Sequence, residues 1–167
     1  MSSSTLRRRL EAQGFCGLDD RALSEIGPWL RWSPAFCAVF MAAGTALASP
    51  PALWALAAVA ALGAVFPAHP FDLLYNGAVR HLTGTRPLPR HGPQRRFACG
   101  LAAAWLIGTG LAFHQGAAAL GYALGAALTA VATLVAVTNF CIPSLVYNTL
   151  FRRRPVAGTP TVRGAGA

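Results

Sequence analysis

The sequence predicts an all-α protein, a four-helix bundle embedded in a membrane. Two observations carry this prediction. The chain is 54% hydrophobic and only 11% charged, whereas an average soluble domain has about 25% charged residues. In addition, residues 33–66 and 97–151 contain no charged side chain, although the helices of a soluble protein need charged outer faces. A soluble globular protein is therefore disfavoured.

The positive charge of the chain follows the same division. Its net charge of +9 comes from 14 arginines, without any lysine, against 5 acids. The arginines lie before residue 33, within residues 67–96 and after residue 151. Cytoplasmic segments of membrane proteins carry such an excess, so both termini and the long loop are predicted to be cytoplasmic. Because topology accounts for the charge, no nucleic-acid partner is predicted and the lipid bilayer is the expected partner.

Residues 1–32 are predicted to form a polar cytosolic segment. One short helix is expected over residues 6–13, ended by Gly14, and a second from Asp19 or Asp20 to Ile26. Tryptophans on both sides of Arg31 are typical of a chain that meets lipid headgroups.

Four apolar runs are predicted to be the spans. They cover residues 34–48, 51–67, 97–114 and 118–140. Ser33-Pro34 and Ser49-Pro50 are start signals, since each places a capping hydroxyl before a proline. The first run reaches about 22 Å, less than the roughly 30 Å hydrocarbon core. It therefore either crosses a thinned bilayer or forms half of a re-entrant hairpin.

The fourth run carries a Gly-x-x-x-Gly motif, formed by Gly121 and Gly125. Small residues at this spacing let two helices approach closely. Packing within one chain is the favoured interpretation, and a homo-oligomer interface is the alternative.

The long loop divides into a helix and a connector. Residues 70–82, preceded by His69, are predicted to form an amphipathic helix at the cytosolic membrane surface. Its apolar face would carry Phe71, Leu74, Tyr75, Ala78 and Leu82, and its polar face Asp72, Asn76 and Arg80. Residues 83–96 are rich in glycine and proline and predict a turn-rich connector. An arginine of this connector is the expected partner of Asp72, with Arg80 as the alternative.

The loop helix has an echo near the end of the chain. Asp-Leu-Leu-Tyr-Asn-Gly-Ala-Val-Arg at 72–80 resembles Ser-Leu-Val-Tyr-Asn-Thr-Leu-Phe-Arg at 144–152. The two Tyr-Asn pairs are Tyr75-Asn76 and Tyr147-Asn148. Either the chain consists of two parallel hairpin repeats, related by an axis along the membrane normal, or two membrane exits have converged on the same residues.

The end of the fourth run predicts an exit from the membrane. Pro143 is expected to perturb the helix there, Tyr147 to lie at the headgroups, and Arg152 to Arg154 to stop translocation. Residues 152–167 form a cytosolic tail that is predicted to be disordered.

Four side chains with metal or redox chemistry are predicted at one membrane depth. Cys37, His69, Cys99 and Cys141 each come from the cytosolic end of a different helix. Three thiolates and an imidazole can hold zinc, and thiols beside arginines can exchange disulfides. The favoured interpretation is that the cysteines are small buried hydrophobes, with thiol chemistry and metal binding as the alternatives. No cofactor is predicted beyond this zinc alternative, and Cys16 is assigned no role.

Three motifs identify a family resemblance. Pro-Phe-Asp-Leu-Leu-Tyr-Asn, Arg-Arg-Phe-Ala-Cys-Gly and Phe-Cys-Ile-Pro-Ser-Leu-Val-Tyr resemble the bacterial membrane family catalogued as domain of unknown function 4395, over about residues 33–151. The resemblance implies a small four-span protein of the bacterial inner membrane. Many members have a second cysteine where this chain has Ser144. Cys141 therefore lacks that partner here, but can still form a mixed disulfide or bind metal.

Three functions are compatible with these features. The first is a non-enzymatic bundle that binds a membrane-protein partner. The second is a thiol- or metal-handling protein that uses Cys141 with Cys37, Cys99 and His69. The third is a small transporter built from two hairpin repeats, although uncharged spans are unusual for an ion pathway. No catalytic residue is assigned beyond Cys141 as the candidate thiol, and enzymatic activity is not predicted.

Overall fold

The computed structural model describes residues 3–15 and 17–151, and helices are the regular secondary structure of these residues. The predicted all-α class is confirmed. The helices are α1 (Ser3–Ala12), α2 (Asp20–Ile26), α3 (Trp32–Ala46), α4 (Pro50–Val65), α5 (Pro70–Leu74), α6 (Arg80–Thr83), α7 (Pro93–His114), α8 (Ala118–Thr138) and α9 (Ile142–Phe151). A 3-10 turn, Trp29–Arg31, precedes α3, and a π-helical turn, Tyr75–Val79, joins α5 to α6. Cys16 and the predicted tail at 152–167 lie outside the described residues.

Helices α3, α4, α7 and α8 form a bundle of two hairpins. The most extensive contacts run between the hairpins, where α4 packs along α7 and α3 along α8. A twofold exchange of the hairpins would convert one of these pairs into the other, as two parallel repeats require. The core of the bundle consists of Met41, Leu53, Leu56, Ala57, Ala60, Ala103, Leu106 and Leu128.

Two helices of the bundle are long and apolar enough to span a membrane. They are α7, with 22 residues, and α8, with 21. Helix α3 has 15 residues and α4 has 16. Helix α4 reaches spanning length only together with residues 70–83, from which it is bent by 80°. The described residues thus contain two helices of spanning length, or three with the bent pair, where the sequence predicted four spans.

The N-terminal residues pack as a second layer on one end of the bundle. Helix α2 begins as predicted, with the Asp19 carboxylate accepting a hydrogen bond from the Ala22 amide at 2.6 Å. Helix α1 covers Ser3–Ala12, three residues earlier at its start than predicted. Its neighbour Gln13 donates from Nε2 to the Asn139 carbonyl at 2.7 Å, where α8 ends. The layer has its own apolar cluster, formed by Leu10, Phe15, Leu23, Ile26, Leu30, Tyr75 and Leu88.

The predicted amphipathic helix over residues 70–82 is interrupted and oriented differently. Asp72, predicted on the outer polar face, is buried together with Tyr75, while Leu74 and Leu82 are exposed. The π-helical turn falls where Tyr75 and Asn76 contact the connector. The Tyr75 hydroxyl lies 2.5 Å from Thr85 Oγ1, and the Asn76 amide bonds the backbone of Leu88. These buried polar contacts turn the polar face inwards.

Two helix boundaries differ from the predictions. Helix α3 already starts at Trp32, and the Ser33 hydroxyl has no hydrogen-bond partner, so it is not a cap. Helix α8 ends at Asn139, which adopts a left-handed conformation with φ of 54°. Asparagine tolerates this conformation better than most residues. Pro143 lies in the first turn of α9, where proline fits a helix, so Asn139 rather than Pro143 ends the helix.

Candidate functional site

A cavity of about 240 Å³ opens among α3, α7, α8 and α9. Cys37, His69, Cys99 and Cys141, the four candidates from the sequence, all line it. Gln13, Ser33 and Arg95 are the other polar lining residues, and the remainder are apolar: Pro34, Met41, Ala60, Ala98, Leu101, Ala102, Trp105, Leu128, Val131, Ala132, Val135, Ile142, Pro143 and Val146. The site is thus an apolar cavity with its polar groups close to the N-terminal layer.

Two of the four candidates occupy equivalent positions in the two halves of the chain. His69 directly precedes α5, after the break that ends α4. Cys141 directly precedes α9, after the break that ends α8. They are separated by the offset that relates the two Tyr-Asn pairs. The other two, Cys37 and Cys99, each lie in the second turn of the first helix of a hairpin.

His69 is the polar centre of this group. Its Nδ1 accepts a hydrogen bond from the Phe71 amide at 3.3 Å, which leaves Nε2 to carry the proton of the neutral ring. Nε2 lies 3.9 Å from the Cys37 sulfur. Burial lowers the pKa of His69 to about 4, so the ring is neutral at pH 7. Its Nε2–H group can therefore donate a hydrogen bond to the Cys37 sulfur.

Cys99 approaches the same imidazole from α7. A Cβ placed on Gly63 would lie 2.6 Å from the His69 ring carbon Cδ2 and 3.3 Å from the Cys99 sulfur. The sulfur and the ring are therefore less than about 6 Å apart. Gly63 gives His69 room to enter between α4 and α7, since any larger side chain would collide with the ring.

Among residues 3–15 and 17–151, no group of three or more His, Cys, Asp or Glu side chains is arranged to hold a metal ion. The 3.9 Å contact between His69 Nε2 and the Cys37 sulfur favours a thiol site.

A buried pair lies next to the cavity. Asp72 Oδ2 accepts from His91 Nε2 at 2.5 Å, so the partner of Asp72 is a connector histidine and not the predicted connector arginine or Arg80. Burial raises the pKa of Asp72, but the His91 hydrogen bond and the charge of Arg95 outweigh it and hold the pKa below its usual value. Burial lowers the pKa of His91, whose Nδ1 has no partner among the described residues. A neutral imidazole thus donates to an ionised carboxylate.

Arg95 is a site residue that the sequence analysis missed. It was assigned to the connector, but it lies in the first turn of α7 and is only 7% exposed. Its Nη2 donates to the Leu30 carbonyl at 3.4 Å, and its guanidinium carbon lies 5.2 Å from the centre of the Phe15 ring. Gly92-Pro93 could have revealed this position, because a proline at the first helical residue is the signal already used for α3 and α4.

The Tyr-Asn pairs lie outside the cavity, and their asparagines form hydrogen bonds to the backbone of the connector and of α1. Asn76 Oδ1 accepts from the Leu88 amide at 2.7 Å, and Asn148 Nδ2 donates to the Ala12 carbonyl at 2.8 Å. Tyr147 packs on Phe97, with ring centres 5.5 Å apart. The asparagines therefore attach the connector and α1 to the bundle.

Comparison with known proteins gives one match. The model of a family described as Domain of unknown function (DUF4395) matches residues 28–152, which is well over half of the chain. The matched range contains the four candidate residues and Arg95. No curated protein and no solved structure matches the chain.

Proposed function

We propose that this chain, which belongs to the DUF4395 family, is a multi-pass protein of the bacterial inner membrane that handles thiols at the cytosolic side. The sequence alone favoured a non-enzymatic partner-binding bundle. One observation supports the thiol function: three cysteines and a histidine, contributed by α3, by α7 and by the breaks after α4 and α8, line one cavity.

The membrane location is supported by helix composition and charge. Helices α7 and α8 have the length and hydropathy of spans. The arginines are confined to the N-terminal segment, the long loop and the tail, which favours cytoplasmic termini. Leu73, Leu74 and Leu82 are exposed beside the bundle, as expected for a helix that turns its apolar side to lipid.

The chemistry that this site favours is exchange with a small disulfide. A cysteine thiolate attacks one sulfur of the disulfide, a new S–S bond forms, and the other sulfur leaves as a thiolate that takes up a proton. Cys141 is the candidate nucleophile, since it lies in the break between α8 and α9 and not within a helix. Arg95 and His69 line the same cavity as the cysteines, and the Nε2–H group of His69 can donate a hydrogen bond to the Cys37 sulfur.

Single-cysteine variants test this proposal. Each retains Cys37, Cys99 or Cys141, with serine at the other cysteines. The purified proteins are treated with hydroxyethyl disulfide, and the mixed disulfide is followed by intact mass. We expect the Cys141 protein to react in the folded state, and His69→Gln to slow the reaction of the Cys37 protein.

Two results would contradict the proposal. One is that the three thiols react only after unfolding. The other is stoichiometric zinc in the purified protein that is lost in Cys141→Ala, since the site would then be a metal site.

A further inference from the structure

We infer that the cavity is a binding site for a free amphipathic monocarboxylate, a fatty acid, with its carboxylate at Arg95 and its chain directed towards Trp105. This inference goes beyond the thiol function and does not require any cysteine to react.

Arg95 brings a positive charge to the wall of the cavity. Its side chain lines the cavity, is only 7% exposed, and has no carboxylate of the described residues within 4.0 Å. Asp72 does not line the cavity and is held by His91. Among the described residues, the guanidinium makes one hydrogen bond, to the Leu30 carbonyl, and it is long at 3.4 Å. A guanidinium has five donors in a planar fork that matches a carboxylate. Asp72 feels the charge of Arg95 through space but makes no ion pair with it, so the donors of the guanidinium can bind a carboxylate from the cavity.

Ser33 and His69 are further polar residues that line the cavity. The Ser33 hydroxyl is buried, with the residue 2% exposed, and has no partner among the described residues. His69 carries its proton on Nε2, because its Nδ1 is occupied by the Phe71 amide, and this group makes only the long 3.9 Å contact with the Cys37 sulfur among the described residues. Both groups can donate a hydrogen bond. An oxygen-rich acceptor fits them, whereas a cationic or donor-rich head does not.

The end of the cavity near Trp105 is apolar. Along α7 the lining residues Arg95, Cys99, Ala102 and Trp105 recur on one helix face. Ten residues of helix separate Arg95 from Trp105, about 15 Å. The Trp105 indole N–H is already bonded to the Leu124 carbonyl at 3.2 Å. This end therefore offers a hydrocarbon chain an apolar surface on which the indole N–H is already hydrogen-bonded.

Residues of the N-terminal layer limit the size of the head group that can reach Arg95. The N-terminal layer covers the polar end, where Phe15 lies on the guanidinium and Gln13 lines the cavity. A carboxylate fits beside a covered arginine, but a phospholipid head group does not. The occupant is accordingly a free acid and not the acyl chain of a bilayer lipid.

Fluorescence quenching tests the inference. The probe is ω-bromododecanoic acid, added to the purified full chain in non-ionic detergent, and the readout is tryptophan emission. We expect saturable quenching that Trp105→Phe removes and that unlabelled dodecanoate reverses. Arg95→Gln should weaken binding by about tenfold or more, because charge-assisted hydrogen bonds are lost. Arg90→Gln is the matched control, since Arg90 is exposed, and should leave binding unchanged.

A second variant covers the case in which Arg95→Gln does not fold. Ala132→Phe fills the cavity while Arg95 remains, and it should abolish saturable quenching. Equal quenching by the bromo acid, its methyl ester and a brominated phosphatidylcholine would overturn the inference, as would unchanged binding in both variants. Thiol reactivity is measured separately without ligand, so failure here is distinguishable from failure of the thiol function.

Discussion

The two buried histidines show how single residues adapt to one end of this bundle. His69 is 3% exposed and His91 7%, and neither ring has the two acceptors that an imidazolium would need. His69 uses Nδ1 to accept from the Phe71 amide, and His91 donates to Asp72. Both rings are therefore neutral in the folded protein, and acid should oppose folding.

Stability should consequently fall between neutral and mildly acidic pH. The unfolded His69 titrates near its ordinary value, whereas in the folded protein burial lowers its pKa to about 4. As the pH falls below about 6.5, the unfolded chain takes up a proton that the folded chain does not, so the free energy of unfolding decreases, by up to roughly 3 kcal/mol for this residue. The loss levels off below the folded pKa.

Denaturant unfolding in detergent at pH 7.5 and pH 5 measures this effect. His69→Gln should have a weaker pH dependence than the wild type. His81→Gln is the control, since His81 is exposed, and should retain the full dependence. A wild type that is equally stable at both pH values would contradict this explanation.

Asn76 makes a second prediction at this scale. Its side chain accepts from the Leu88 amide at 2.7 Å and donates to the Leu88 carbonyl at 3.4 Å. Asn76→Ala should lower the free energy of unfolding by about 1–3 kcal/mol, because two backbone groups lose their partner. Gln115→Ala, at an exposed turn, should change it by less than about 0.5 kcal/mol. Equal effects in the two variants would show that Asn76 does not hold the connector.

Two glycines of α8 lie where this helix packs against side chains of α3 and α7. An added Cβ on Gly125 would collide with the Thr45 side chain on α3, and one on Gly121 would lie 2.7 Å from the Phe113 ring. The Gly-x-x-x-Gly motif of α8 therefore makes contacts within the chain, which is the interpretation that the sequence favoured.

Gly125→Ala should accordingly destabilise the protein by about 1–3 kcal/mol, since Thr45 is short and cannot move away. Gly108→Ala on α7 is the control, because a Cβ there meets nothing within 4 Å, and it should be neutral or stabilising by up to about 1 kcal/mol. Thermal unfolding of both variants in detergent measures the difference. A destabilised Gly108→Ala with an unaffected Gly125→Ala would contradict the α3–α8 packing.

The start of α9 yields a further prediction at the scale of an element. Ser144 is fully buried and its hydroxyl has no partner among the described residues. It follows Cys141 by three residues, a spacing that brings two side chains together at the start of a helix. Ser144→Cys should therefore form a disulfide with Cys141 under a mild oxidant, seen as protected thiols in mass spectrometry. If Ser144→Cys combined with Cys141→Ser is protected to the same extent, the bond involves another cysteine.

At the scale of the whole molecule, the sequence predicted the two hairpins and one common depth for Cys37, His69, Cys99 and Cys141. That all four line one cavity depends on the order of the helices, which the sequence did not reveal. Charge segregation and helix start signals lie within short stretches of sequence, so they can be recognised without knowing which helices are neighbours. The buried Arg95 and the partner of Asp72 could not be predicted in this way. Arg95 is buried because Phe15 and Leu30 of the N-terminal layer pack against it, a contact between segments that are far apart in the chain. The partner of Asp72 depends on how the connector folds back on α5. The shortness of α3 was visible in the sequence, but the 80° bend after α4 was not.

The cavity and its chemistry matter only if this bundle crosses a membrane with the connector in the cytosol. Sided labelling tests this claim most directly. In a background with serine at all 4 cysteines, Arg90→Cys places a thiol on the connector and Gln115→Cys places one on the turn between α7 and α8. With a membrane-impermeant maleimide, we predict that Arg90→Cys is labelled only in inverted vesicles and Gln115→Cys only in right-side-out spheroplasts. Labelling of both positions from the same side, or the reverse pattern, would contradict the account.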